Sequence, residues 1–166
     1  MTTTQHETEI AASPDVPTIT ITREFDAPRE LVFRAWTEPD LVARWMGPRS
    51  VTMNITQWDC RRGGSWAYSA GREGEDGFAT FYGSFHDVRA PERLVQTFTW
   101  EGAPDSVSLE TMTLEELPGG RTRCVGVSVV DSFEVRDAIL SSGMDTGVIE
   151  GFEQLDELLE TLETSR

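Results

Sequence analysis

The sequence predicts an α+β fold in which a curved, seven-stranded antiparallel sheet wraps round a long C-terminal helix. Three observations carry this. Apolar residues alternate at period two in one early segment and again in six later ones. Two short helical patterns interrupt the series after the first strand. From Met144 to about Leu162, apolar residues recur at three- and four-residue steps, the mark of a helix with one buried stripe.

Residues 1–16 have no hydrophobic period, contain Ser13-Pro14 and are expected to form a disordered acidic tail, leaving 17–164 as a single domain. Thr18 to Phe25 sets Ile19 and Ile21 on one face, as a half-buried strand does. At Asp26-Ala27-Pro28 the period changes. Asp26 can cap, Pro28 suits a first helical turn, and Leu31, Val32, Ala35 and Trp36 follow at helical spacing. Thr37 and Asp40 form a short-armed capping box for a second helix, whose stripe is Leu41, Val42 and Trp45 and which ends at Gly47-Pro48.

Six strands are expected next. Val51, Met53 and Ile55 alternate, Arg62-Gly63-Gly64 turns the chain, and Ser65 to Ala70 follows before a loop of Gly, Glu and Asp at 71–77. Phe78 to Val88, Arg93 to Trp100, Val107 to Leu117 and Arg121 to Val130 complete the set, the last two joined at Leu117-Pro118-Gly119-Gly120. Turns this short force antiparallel pairing, because a parallel return needs a dozen residues or more. Asp131 to Glu134 is a further capping box, opening a short helix that pauses at Ser141-Ser142-Gly143. One long amphipathic helix and a helical V are what the chain offers to cover one apolar sheet face, which implies a cavity between them.

Composition narrows the function. Among 166 residues, 14 basic and 29 acidic side chains give a net charge of −15, and every basic residue is Arg. A surface so acidic repels phosphate backbones and anionic lipid, so neither nucleic acid nor membrane is an expected partner. The absence of Lys excludes Schiff-base chemistry and the usual P-loop. No apolar run approaches the roughly 20 residues needed to span a bilayer, and Met1 to Pro17 lacks the pattern of a secretory signal. Cys60 and Cys124 are too few for a disulfide framework or a structural zinc site and read as reduced thiols of a cytoplasmic protein.

The motifs then resemble one family. Asp26-Ala27-Pro28-Arg29-Glu30-Leu31-Val32-Phe33-Arg34-Ala35-Trp36-Thr37, with Pro39 and Trp45, is similar to the opening of the bacterial homologues of the activator of heat shock protein ninety ATPase. Gly63 to Tyr68 resembles the central motif of that family, and Tyr82 to Phe85, Pro91 to Val95 and Trp100 the next two. Gly143-Met144, Gly147 and Leu155 to Leu159 resemble its closing helix. The family lies within the START-like, polyketide-cyclase-like helix-grip superfamily, which includes the birch-pollen-allergen-like fold. The resemblance implies a helix-grip scaffold united by its cavity and not by a catalytic constellation. It also implies three readings: a domain that binds a small hydrophobic or amphipathic molecule, which we favour; a cyclase- or aromatase-type enzyme; and a module acting on a chaperone ATPase.

The expected cavity lining begins with Trp66 and Tyr68, two apart on one strand face, which either line a pocket or simply pack the core. Trp36 and Trp45 join them. Strand parity adds Phe81, Phe85, Phe98, Trp100, Leu109, Thr111, Val125 and Val127. Met144, Val148 and Phe152 close it from the helix. Arg61, Tyr82 and His86 are the candidate polar contacts, although Arg61 also suits a surface ion pair and His86 a structural role. Asp87 beside His86 points to the other strand face, so the two form no dyad. No Ser/His/Asp set, nucleophile elbow or metal-ligand spacing is visible, and the many Glu map to turns and outer helix faces. No catalytic residue, cofactor or metal is therefore expected, and the chain reads as a monomer or homodimer.

Overall fold

A computed structural model of the chain describes residues 6–72 and 78–164. The elements run β1 (Glu9–Ala12), β2 (Thr18–Phe25), α1 (Arg29–Thr37), α2 (Pro39–Trp45), β3 (Val51–Trp58), β4 (Ser65–Arg72), β5 (Ala79–Arg89), β6 (Arg93–Trp100), β7 (Ser108–Leu117), β8 (Arg121–Val129), α3 (Phe133–Ser141) and α4 (Met144–Thr164). All eight strands form one antiparallel sheet in the order β1-β2-β8-β7-β6-β5-β4-β3. The expected loop at 71–77 falls mostly outside the described residues.

Among the described residues the sheet has eight strands, not seven, and the additional one comes from the segment read as a disordered tail. β1 pairs with β2 from Glu9 opposite Thr22 to Ala12 opposite Ile19. Its anchor lies far away in sequence. The guanidinium of Arg136, on α3 and only 7% exposed, donates to the carbonyls of Ser13 (2.8 Å), Thr18 (3.2 Å) and Val16 (3.4 Å), which fixes the turn between β1 and β2. Four residues with no apolar period are thus held by backbone pairing and one buried cation.

Two helix starts also differ from expectation. Pro28 is the N-cap of α1 and Glu38 that of α2, neither with a side-chain cap. Asp26 instead accepts a hydrogen bond from Arg121, and the Thr37 hydroxyl donates back to the Phe33 carbonyl. The third start is shifted by one residue from the expected box: Ser132, not Asp131, caps α3, its hydroxyl accepting from the Val135 N–H at 3.1 Å. Between β7 and β8 the turn places Gly119 and Gly120 at φ of 83° and 71°, where a side chain would be strained.

Irregularities in register between Ile55 and Gln57 on β3, and between Phe85 and Asp87 on β5, bend one half of the sheet. The core lies in the resulting hollow. Phe25, Leu31, Val32, Phe85 and Leu114 meet Leu155, Leu158 and Leu159 of α4 there, all at most 4% exposed. The two halves of α4 therefore do different things: its C-terminal half fills the core, while its N-terminal half, around Met144, Gly147 and Val148, roofs an unfilled space. Gly151 lets the helix approach α2 closely, since an added Cβ would stand 3.3 Å from the Trp45 carbonyl oxygen. Gln154 completes the seam, donating to the carbonyls of Gly47 (2.8 Å) and Trp45 (3.2 Å).

Candidate functional site

The unfilled space is a half-open cavity of about 330 Å³ between the sheet and the N-terminal half of α4. The pleat decides which strand residues face it. On β7 the inward positions are Glu110, Met112 and Leu114; opposite them on β8 stand Ser128, Gly126 and Cys124. Gly126 leaves the hollow under the helix: a Cβ built there would have only the Ile21 carbonyl oxygen, at 3.9 Å, within 4 Å.

Aromatic rings form the walls. Trp66 stacks on Tyr68 with centroids 5.4 Å apart, and Phe98 tilts against Trp66 at 5.6 Å. On the other side Trp45 lies 4.6 Å from Trp36 and stacks with Phe152 at 6.1 Å. The indole N–H of Trp45 donates to the Ala35 carbonyl and that of Trp58 to the Thr37 carbonyl. The buried N–H of Trp66 has no partner among the described residues.

One polar group interrupts this lining. Gln96, Glu110 and Ser128 are directly opposed on β6, β7 and β8, forming a single row across the sheet. Gln96 Nε2 donates to Glu110 Oε1 at 3.4 Å, and the Ser128 hydroxyl donates to Oε2 at 3.2 Å. Burial pushes the Glu110 carboxyl up from its ordinary 4.5 to about 7, against the smaller opposing pull of those two hydrogen bonds. The Tyr68 hydroxyl is pushed upward, chiefly by burial and then by the charge of Glu110. The Cys124 thiol is raised by burial to about 12. Among the described residues Glu110 is thus the one lining group that changes charge near neutral pH, and no Arg, His or Asp lines the space. No group of three or more His, Cys, Asp or Glu converges as a metal site among the described residues.

Ten of the expected lining residues border the cavity: Trp36, Trp45, Trp66, Tyr68, Phe98, Thr111, Val127, Met144, Val148 and Phe152. Five do not. Phe81 and Phe85 face inward but are used up in packing, Phe81 between Tyr68 and Phe98, and Phe85 against Trp58 at 5.4 Å. Trp100 lies on the same face, opposite Phe81, but beyond the reach of the helices, and is half exposed. For Leu109 and Val125 the expected parity is inverted. Both take outer positions, as do the side chains of Thr111 and Val127, which border the cavity from between inward-facing neighbours.

None of the three candidate polar contacts reaches the cavity. Arg61 is exposed and bound to Asp59 at 2.9 Å, and Tyr82 is exposed on the outer face of β5. His86, on the same outer face, borders a separate shallow depression with Arg62 and Asp87. The polar row of Gln96, Glu110 and Ser128 is what the sequence reading missed, because Glu was assigned to turns and outer helix faces. The signal was present: the hairpin closed by Gly119-Gly120 sets Glu110 on the same face as Met112 and Leu114.

Comparison with known proteins agrees with this architecture. A crystal structure of a protein from Rhodobacter sphaeroides is 25% identical, with a TM-score of 0.83 over 93% of this chain and 99% of that one. One from Mycobacterium smegmatis is 27% identical, with a TM-score of 0.81 over 92% and 97%. A solution structure from Arthrobacter aurescens is also 27% identical, with a TM-score of 0.83 over 92% and 91%. No curated protein sequence matches the chain. Residues 26–160 match the family described as activator of Hsp90 ATPase homolog 1-like protein, and the chain therefore belongs to that family, within the START-like helix-grip superfamily.

Proposed function

We propose that the protein binds a small amphipathic molecule in the cavity, with its apolar body among the aromatic rings and its polar group turned toward Glu110. The observation that supports this reading is the cavity itself: ring-walled, partly open and carrying a single polar row. Its volume, about 330 Å³, lies at the lower end of the roughly 300–1,000 Å³ usual for small-molecule sites. That size suits a compound of two or three rings or a short chain, and not a whole two-chain lipid. No helix among the described residues is long and apolar enough to cross a membrane.

Intrinsic Trp fluorescence tests the reading, because four indoles border the cavity. Titration with a panel of neutral, anionic and cationic amphipaths is expected to give saturable quenching or a blue shift with at least one class. That response is expected to weaken in folded Trp66→Phe or Tyr68→Ala variants. A flat response across the panel overturns the proposal.

One observation favours a second reading, an enzyme of the cyclase or aromatase type. Glu110, with its carboxyl near pH 7 inside the cavity, has the acidity of a general acid–base group. On this reading Glu110→Gln abolishes turnover and leaves ligand binding in place.

A further inference from the structure

We propose that the molecule held in the cavity carries a protonated nitrogen, seated against Glu110 and faced by the surrounding aromatic rings. This rests on the cavity-binding reading above and specifies the ligand's chemical class.

The first support is the company Glu110 keeps. Several acidic side chains that are partly covered on the sheet and helices are matched with Arg: Glu24 with Arg121 and Arg123, Asp87 with Arg89 and Asp156 with Arg23. Glu110 is set deeper, yet no cation pairs with it among the described residues. Its two hydrogen-bond donors are neutral and stand at 3.4 and 3.2 Å. An ionised carboxylate has about four lone-pair sites, so acceptor capacity remains on the side that borders the cavity.

A second support is the surroundings of that carboxylate. Trp66, Tyr68 and Phe98 belong to the same cavity wall. Ring faces carry the negative end of the aromatic quadrupole and attract an ammonium group, most strongly where water is excluded. A carboxylate and several aromatic rings bordering one space favour positive charge. The same charge selects against an anion, since among the described residues neither Arg nor His lines the cavity to receive one. A neutral alcohol donates one hydrogen bond to the carboxylate but brings no positive charge to the pair.

Three probes with one ring system separate these cases: 2-(1-naphthyl)ethylamine, 2-(1-naphthyl)ethanol and 1-naphthylacetate. They are titrated calorimetrically into the full chain at pH 8 and about 0.3 M salt, which screens the acidic surface. The amine is expected to bind at least about tenfold more tightly than the alcohol, with the carboxylate weakest. Glu110→Gln, near-isosteric, is expected to bring amine and alcohol within about twofold of one another, chiefly by weakening the amine. Gly126→Leu, which fills the hollow, is expected to abolish binding of all three.

Equal binding of amine and alcohol, tightest binding of the carboxylate, or an amine preference that survives Glu110→Gln overturns this inference alone. So does amine binding that survives Gly126→Leu, because the site is then elsewhere on the acidic surface. Failure of all three probes to bind overturns the cavity reading as well.

Discussion

Replacing Glu110 by Gln changes how stability depends on pH, and the size of the change follows from the site. In the folded chain the Glu110 carboxyl titrates at about 7, against an ordinary 4.5. Below pH 4.5 folded and unfolded chains both hold the proton, and the group contributes no pH-dependent difference. Between 4.5 and about 7 the unfolded chain has released the proton while the folded chain retains it, so stability falls as pH rises. Above 7 both states are ionised and the loss is complete. At about 1.4 kcal/mol per pH unit, the interval amounts to about 3 kcal/mol. No other charge intervenes, since Gln96 and Ser128 are neutral and the Tyr68 and Cys124 protons stay in place throughout. Gln removes the titration and retains an acceptor for the Ser128 hydroxyl. The assay is urea unfolding of both proteins from pH 4.5 to pH 8.5, read as the difference between them so that the other acids cancel. The gap is expected to move in favour of Glu110→Gln by about 3 kcal/mol over that range. Parallel curves, or a gap that moves the other way, refute the assignment of a strained carboxyl to this position.

Three further outcomes follow from other contacts. Gly126→Leu adds a side chain where open space exists and removes a glycine from a strand, so it is expected to raise stability by about 1 kcal/mol while blocking the cavity; a lowered melting temperature contradicts this. Asp156→Ala leaves the Arg23 guanidinium, 3% exposed, without its bidentate partner at 2.6 and 2.8 Å, and a loss of about 2 kcal/mol is expected in urea unfolding. Reduced ordering of Arg23 is excluded as the cause if the double variant with Arg23→Met recovers most of that loss. Arg136→Ala releases three carbonyls of the β1–β2 turn, so amide exchange should quicken at Glu9–Ala12 while β6 and β7 stay protected; unchanged exchange in β1 means the strand is held by its pairing alone.

Most elements were legible because their periods are strong and their punctuation is explicit. Ile19 and Ile21, the Gly119-Gly120 turn and the Leu155–Leu158–Leu159 stripe each encode a local preference that the packing agrees with. β1 was not legible, since what holds it is a guanidinium more than a hundred residues away in sequence. The cavity floor failed for an instructive reason. β8 alternates Val125, Val127 and Val129 with Cys124, Gly126 and Ser128, and ordinary patterning assigns the valines to the interior. The chain does the opposite, because a strand that borders an empty space must turn its small residues inward. The same inversion brought Glu110 inside and hid it behind Leu109 and Thr111.

The position of β2 between β1 and β8 also shapes how the chain comes together during synthesis. Thr18 to Phe25 must wait about a hundred residues for Arg121 to Val129, and closing so long a loop makes folding slow. The hairpins from β3 to β7 can pair as they leave the ribosome, yet α4, which covers their ring-lined concave side, is translated after every strand. For that interval the nascent sheet carries bare indoles toward water, and its safety against self-association rests on the dense negative charge of the rest of the chain.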